Sequence, residues 1–289
     1  MRYNYEKILP GHNQTFKVHD EIGAVIDCCF HVHPEYELTY IVSSFGTRFI
    51  GDSVDCFEPG NLALIGPMAP HHYYNSPQDS LSDSWGHARV VQFRKDFAGK
   101  ELFELPEMTQ ISRMLKDSVY GLDFSEDSAR RVSPLLERLI HAHGAQRIII
   151  LLRILHTLSE SDYRRLSSVK ADTELAVGED HRANNIIAYI HACLENGESP
   201  SLGKTARKAG MSPEAFSRYF RRTTFKRFID YVNESKTGKA CHALINTDKT
   251  VAEICFDAGF SNLSNFNRQF LKIKKISPRA FREQYRRTE

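Results

Sequence analysis

One short pattern occurs twice in the chain, and this repeat restricts the fold of the last third more than any other sequence feature. The first copy is Ser201-Leu-Gly-Lys-Thr-Ala-Arg-Lys-Ala-Gly-Met-Ser-Pro-Glu-Ala-Phe-Ser-Arg-Tyr-Phe220. Leu202 and Ala206 are one helical turn apart. Gly210 suits the left-handed residue that closes a helix, and Met211 is an apolar pin for the turn. Ser212 reads as an N-cap, and Pro213 stands at the first helical position, where its missing N–H costs nothing. Phe216, Tyr219 and Phe220 give the next helix its inward face. The second copy runs Val251–Phe270. Ala209–Ser212 recurs as Ala258–Ser261 after 49 positions, whereas Phe216, Arg218 and Phe220 recur as Phe266, Arg268 and Phe270 after 50. The second turn therefore holds one extra residue. Helix, Gly-containing turn and helix make a helix-turn-helix unit, whose second helix enters the major groove of DNA.

A helical segment, Phe228–Leu244, joins the two copies and fixes their separation. Two rigidly spaced units suit successive major grooves, which recur every ~34 Å along one face of the duplex. The faces expected to read DNA carry Glu214, Ser217, Arg218, Arg221 and Arg222 in the first unit. In the second they carry Asn262, Asn265, Arg268, Gln269 and Lys272. Arginine pairs bidentately with guanine, and Asn or Gln with adenine. Arg221, Arg222, Lys226, Arg227, Lys274 and Lys275 suit phosphate contacts. A solvated surface charge is the competing explanation for any one of them, less so for the set. Residues 181–289 hold 9 Lys and 11 Arg against 10 acidic residues, a net +10. The whole chain is +2, so the rest is −8. Only the C-terminal part is basic enough to seek a polyanion.

The N-terminal part has another period. Glu37–Val42, Arg48–Ile50, Ser53–Phe57, Leu62–Ile65 and Ala88–Phe93 are strand candidates separated by Gly/Pro turns, which predicts a sandwich or barrel. Helical spacing begins near residue 107, with Ile111, Met114, Leu115 and Val119, then Val132, Leu135, Leu136, Leu139 and Ile140. Ile148, Leu151, Leu152, Leu155 and Leu158 form an apolar stripe that suits a core or a dimer surface equally. The expected organisation is a β-barrel over residues 1–105, a helical dimerisation or connector region over 106–165, a polar linker over 166–180 and a DNA-binding domain over 181–289. The fold class is α+β, a cupin- or jelly-roll-like barrel followed by helices and an all-α C-terminal domain. No apolar run reaches the ~18 residues of a membrane span, and the N-terminus has no apolar signal core. A cytoplasmic protein with reduced thiols is expected, since the six Cys form no C-x-x-C pair.

The C-terminal hundred residues resemble the AraC/XylS family of bacterial regulators. The similarity rests on Leu202, Ala206, Ala209–Pro213, Phe216–Arg218 and Phe220, on Phe228–Tyr231, Ala240 and Leu244, and on Ile254, Ala258–Ser261, Phe266, Arg268, Phe270, Ser277-Pro278 and Phe281-Arg282. The resemblance implies sequence-specific binding to double-stranded DNA and control of transcription; a homodimer, through the 147–158 stripe, and RNA polymerase as a partner are further expectations. The chain departs from the family at Phe225 and near Lys275, where Gly is usual, and at Lys236, where Arg is usual. A left-handed turn at Phe225 or Lys275 is strained without Gly.

The N-terminal region resembles the cupin-type arm of such regulators. Metal-binding cupins carry a His-x-His, a Glu four residues on and a later His, and His31, His33, Glu37 and His71 match these positions. Three imidazoles and a carboxylate suit Zn, Fe, Mn or Ni. The opposite parity (Val32, Tyr36, Leu38, Tyr40, Val42) is apolar, so an exposed His face is the plain alternative. The favoured assignment is an effector pocket for a sugar or related metabolite, with no cofactor and no catalytic metal. His31, His33, Glu37, Arg48, His71, His72, Tyr73 and Trp85 would line it, with Tyr74 as a further candidate. A metal-dependent cupin enzyme fused to a DNA-binding domain is the competing class, but it leaves the duplicated helices unexplained, so the chain is not expected to be an enzyme.

Overall fold

A computed structural model describes residues 4–23, 30–75, 86–170 and 181–286. Trp85, Cys28, Cys29, the Ser76-Pro77 turn and most of the expected linker lie outside them. Two sheets organise the N-terminal part. The first has the order β1(Asn4–Tyr5), β3(His31–Val32), β8(His71–Tyr74), β5(Gly46–Ile50), β6(Ser53–Phe57). The second has the order β11(Tyr163–Arg165), β10(Leu122–Phe124), β7(Leu62–Ile65), β4(Tyr36–Ser43), β9(Gly86–Phe93), β2(Phe16–Gly23). The expected closed barrel is not seen. Among the described residues side chains, not backbone ladders, bridge the sheet edges: Arg48 on β5 donates to Asp123 on β10 at 2.6 Å, and Arg164 on β11 donates to Asp55 on β6 at 3.0 Å.

Both faces of the six-stranded sheet are covered, which explains its many apolar residues. Tyr36, Leu38, Leu64, Val91 and Phe93 pack outward against α1(Thr109–Asp117), α2(Glu126–Ile140) and α3(Ala145–Ser159). Leu151, Ile154, Leu155 and Leu158 on α3 are wholly buried in this cluster, with Ile148 and Leu152 packed at its rim. The apolar stripe thus serves the core rather than a dimer surface. Residues 106–165 are not a separate connector either: they cover the sheet with helices and extend it with β10 and β11. The opposite parity (Ile41, Ala63, Ile65, Ala88, Val90) meets Ile50, Phe57 and Tyr73 of the other sheet. The first residues of the expected linker are pinned: Ser167 Oγ and Ser168 Oγ donate to the Asp52 carboxylate, Ser167 at 2.7 Å.

The C-terminal part is helical: α4(His181–Glu195), α5(Leu202–Lys208), α6(Pro213–Thr224), α7(Phe228–Asn246), α8(Val251–Asp257), α9(Leu263–Lys274) and α10(Pro278–Arg286). Helices α5–α6 and α8–α9 form similar short–long pairs on either side of α7. The first pair packs round Phe216, Phe220, Phe228 and Tyr231, the second round Phe260, Phe266, Phe270 and Phe281. Helices α4 and α7 lie on the outer face of the five-stranded sheet, where Phe49 stacks on Tyr231 and Tyr74 on His191. No helix among the described residues is long and apolar enough to cross a membrane.

Candidate functional site

The turn chemistry of the two helix pairs follows the repeat. Gly210 and Gly259 take φ of 68° and 82°, and the following N–H groups of Met211 and Phe260 donate back to Ala206 O and Cys255 O. Ser212 Oγ caps α6 by accepting from Ala215 N at 3.2 Å. In the second pair Asn262, not Ser261, is the cap and accepts from Asn265 N at 2.8 Å. Ser261 is the inserted residue. Phe225 and Lys275 end α6 and α9 in the left-handed conformation, at φ 57° and 63°, despite their side chains. Lys236, buried on α7, donates to Ser199 Oγ at 2.8 Å and lies over the Phe260 ring, so one side chain ties the approach to α5 to the α8–α9 turn.

Glu214, Ser217, Arg218, Arg221 and Arg222 are all exposed on α6. On α9, Asn262, Arg268 and Lys272 are exposed, and Arg268 donates to Asn265 Oδ1 at 2.9 Å. Gln269 is half-buried and turns, with Lys272, towards a cavity shared with the N-terminal part. Three cations expected on phosphates are held by carboxylates of this chain instead. Lys226 donates to Glu234 at 2.7 Å, Arg227 to Asp230 at 2.6 Å and Lys274 to Asp55 of β6 at 2.7 Å.

The second site lies between the sheets. His31, His33, Glu37 and His71 are buried, with ligand atoms all within 4.8 Å of one another. His33 Nε2 is 3.1 Å from Glu37 Oε2, and His71 Nε2 is 3.5 Å from Glu37 Oε1. Nδ1 of His33 lies 3.2 Å from Glu35 O, and Nδ1 of His71 lies 2.8 Å from Ala69 O. A carbonyl only accepts, so both Nδ1 atoms carry hydrogen and both Nε2 atoms turn to the carboxylate. Burial would raise the Glu37 carboxyl, but His71 and His33 outweigh it and hold the group well below its usual range. Burial, with His31 beside it, lowers the His71 imidazole. Three imidazole nitrogens and one carboxylate oxygen thus converge at one buried spot. This donor set therefore fits a divalent transition metal.

Beside the cluster opens a cavity of about 630 Å³, lined by His31, Glu37, Tyr73, Val90 and residues of β1 and β2. Three participants had no signal strong enough to single them out. Thr39 Oγ1 and Gln92 Nε2 donate to Glu37, each at 2.9 Å, and Glu6 lies 3.0 Å from His31 Nε2. Thr39 shares the parity of Glu37 and was in principle findable. Three expected residues point elsewhere. Strand β8 sends His71 and Tyr73 towards the site but His72 and Tyr74 to the opposite face, where His72 packs on Phe49 and approaches His191. Arg48 faces between the sheets, but Asp123 holds it at the far edge, outside the lining of this cavity.

A β-sheet part enclosing a polar site, with a helical part whose paired helices expose basic faces, defines a class of DNA-reading regulators. The profile of a helix-turn-helix domain family matches residues 205–284. The transposon Tn10 TetD protein of Escherichia coli is 32% identical over 98 residues, covering 34% of this chain and 70% of that protein. The arabinose operon regulatory protein of Salmonella typhimurium is 24% identical over 245 residues, 84% of this chain and 79% of that one. The crystal structure of the DNA-binding domain of AdpA in complex with a target DNA is 24% identical, covers 36% of this chain and 96% of that domain, and has a TM-score of 0.35. The chain belongs to the AraC family of transcription regulators. It spans between a fifth and two fifths of the length of the first curated relatives that it matches.

Proposed function

We propose that this chain is a sequence-specific DNA-binding regulator whose two helix-turn-helix units answer to a ligand held between the N-terminal sheets. The observation that carries the DNA half is the duplicated short–long helix pair, each pair presenting an exposed, cation-bearing second helix. Arg218 and Arg268 are the base readers, with Glu214, Ser217, Asn262 and Asn265 beside them. Arg221, Arg222, Lys272 and Lys275 are the cations left for phosphates. The sensing half rests on the buried His31–His33–Glu37–His71 cluster in a cupin-like arm. His31, His33, Glu37 and His71 would hold a divalent transition metal, which would supply a Lewis-acidic anchor for a small polar effector in the neighbouring cavity. Occupancy reaches the DNA through β8, because the residue after the ligand His71 packs against the helical part. A C2 dimer addressing two half-sites and a contact to RNA polymerase complete the proposal.

Selection of bound sequences from a random DNA pool, with the full chain, tests it. A distinct motif is expected. Arg218→Ala and Arg268→Ala should each weaken binding to that motif by ~1–3 kcal/mol and relax base preference at one position. Unchanged binding in both variants would remove them as readers. Elemental analysis of purified chain should find about one transition metal per chain, lost in His33→Ala. A metal-free wild type would return the cluster to a metal-independent effector pocket.

A further inference from the structure

Two of the cysteines among the described residues meet across the boundary between the sheets and the helices. Cys56 is on β6, with its side chain on the outer face of the five-stranded sheet. Cys241 is on α7, the helix that lies on that face. The Cys56 thiol donates to Gly238 O at 3.6 Å, one helical turn before Cys241. Gly238 makes this approach feasible, since a Cβ there would meet Thr47 Oγ1 at 2.9 Å and lie 3.6 Å from the Cys56 sulfur. Both cysteines line a cavity of about 970 Å³ shared by the two parts, which gives a small oxidant a route to sulfurs otherwise buried or half-buried. Lys274 reaches the same spot through its ion pair with Asp55.

We propose that Cys56 and Cys241 form an oxidation site, in which a hydroperoxide converts the two thiols into a disulfide that ties the sensing sheet to the bridging helix. Cys56 is the attacking sulfur. Its thiol is pulled down by the hydrogen bond from Cys241 against the effect of burial, with Lys274 helping, whereas burial pushes Cys241 well up. The Cys56 thiolate attacks one peroxide oxygen and breaks the O–O bond. It becomes a sulfenic acid, and the displaced hydroxide or alkoxide takes up the proton that left Cys56. Cys241 sulfur then attacks the Cys56 sulfur, the S–O bond breaks, and the departing hydroxide leaves as water with the Cys241 proton. Two thiols are oxidised by two electrons and one peroxide is reduced. Cys193 and Cys255, buried among the helices, have no cysteine partner among the described residues. The inference stands apart from the metal assignment, because it concerns the outer face of the sheet.

The test treats the reduced full-length chain with hydrogen peroxide, blocks the remaining thiols and maps the unreduced digest by mass spectrometry. The expected product is one linked peptide pair holding Cys56 and Cys241, two hydrogens lighter than its parts and released by dithiothreitol. Cys193 and Cys255 should stay open to alkylation. In Cys241→Ser, Cys56 should stop at a sulfenic acid trapped by dimedone. Lys274→Met should slow the loss of the Cys56 thiol severalfold. Peroxide that leaves both thiols intact, or links either to another cysteine, would overturn the proposal. The wild-type map decides the matter even if a variant fails to fold.

Discussion

Lys275 and Phe225 hold a backbone conformation that glycine adopts without strain, at φ 63° and 57°. Lys275 is exposed, and among the described residues its Nζ donates only to Lys272 O at 2.8 Å. Lys275→Gly should therefore raise stability by about 1 kcal/mol, read as a higher denaturant midpoint at unchanged slope. Phe225 is half-buried, so Phe225→Gly also loses side-chain contact and should gain less. Equal stability of Lys275→Gly and wild type would mean that the turn stores no strain. Both positions were legible in the sequence as departures from the family's glycine, because each follows a helix at the same step of the repeat.

At the scale of elements, the contact between β8 and α4 carries a pH response. Burial lowers His191 to about 3 and His72 well below its ordinary value. The side chains facing His191 are His72 and Tyr74 of β8, Phe49 of β5 and Tyr231 of α7. The nearby carboxylate, Glu195, accepts from the Tyr74 hydroxyl. Unfolded histidine titrates near 6.5, so between pH 6.5 and 3 the unfolded chain binds more protons than the folded one. Above pH 6.5 His191 has no effect. As the pH falls below that value, it removes up to about 1.4 kcal/mol per unit, and the loss levels off below pH 3. His191→Gln should flatten this acid slope in chemical denaturation series from pH 7 to 4. An unchanged slope would assign the acid sensitivity elsewhere.

For the whole molecule, the Lys274–Asp55 pair is an ionic link between α9 and the five-stranded sheet. Its partners also hold the sheets together, since Asp55 accepts from Arg164 and lies 4.0 Å from Arg48. A double-mutant cycle with Asp55→Asn and Lys274→Met should give a coupling of ~1–2 kcal/mol in stability. No coupling would mean that α9 is not fastened to the sheet. Much of this organisation was legible in the sequence by itself. The duplicated turn, the cap at Ser212, the extra residue before α9 and five strands follow from spacing and side-chain chemistry acting over a few residues, and the His31–His33–Glu37–His71 set from the resemblance to metal-binding cupins. Only the tertiary structure decided which face of each element meets what. It covered both faces of the six-stranded sheet, buried the α3 stripe, sent His72 and Arg48 away from the site, and brought Glu6 and Gln92 to it. It also gave Lys274 a carboxylate in place of a phosphate. Local periodicity records that a residue has an inward face, but the partner on that face comes from chain tens to hundreds of residues away, and no local spacing encodes it.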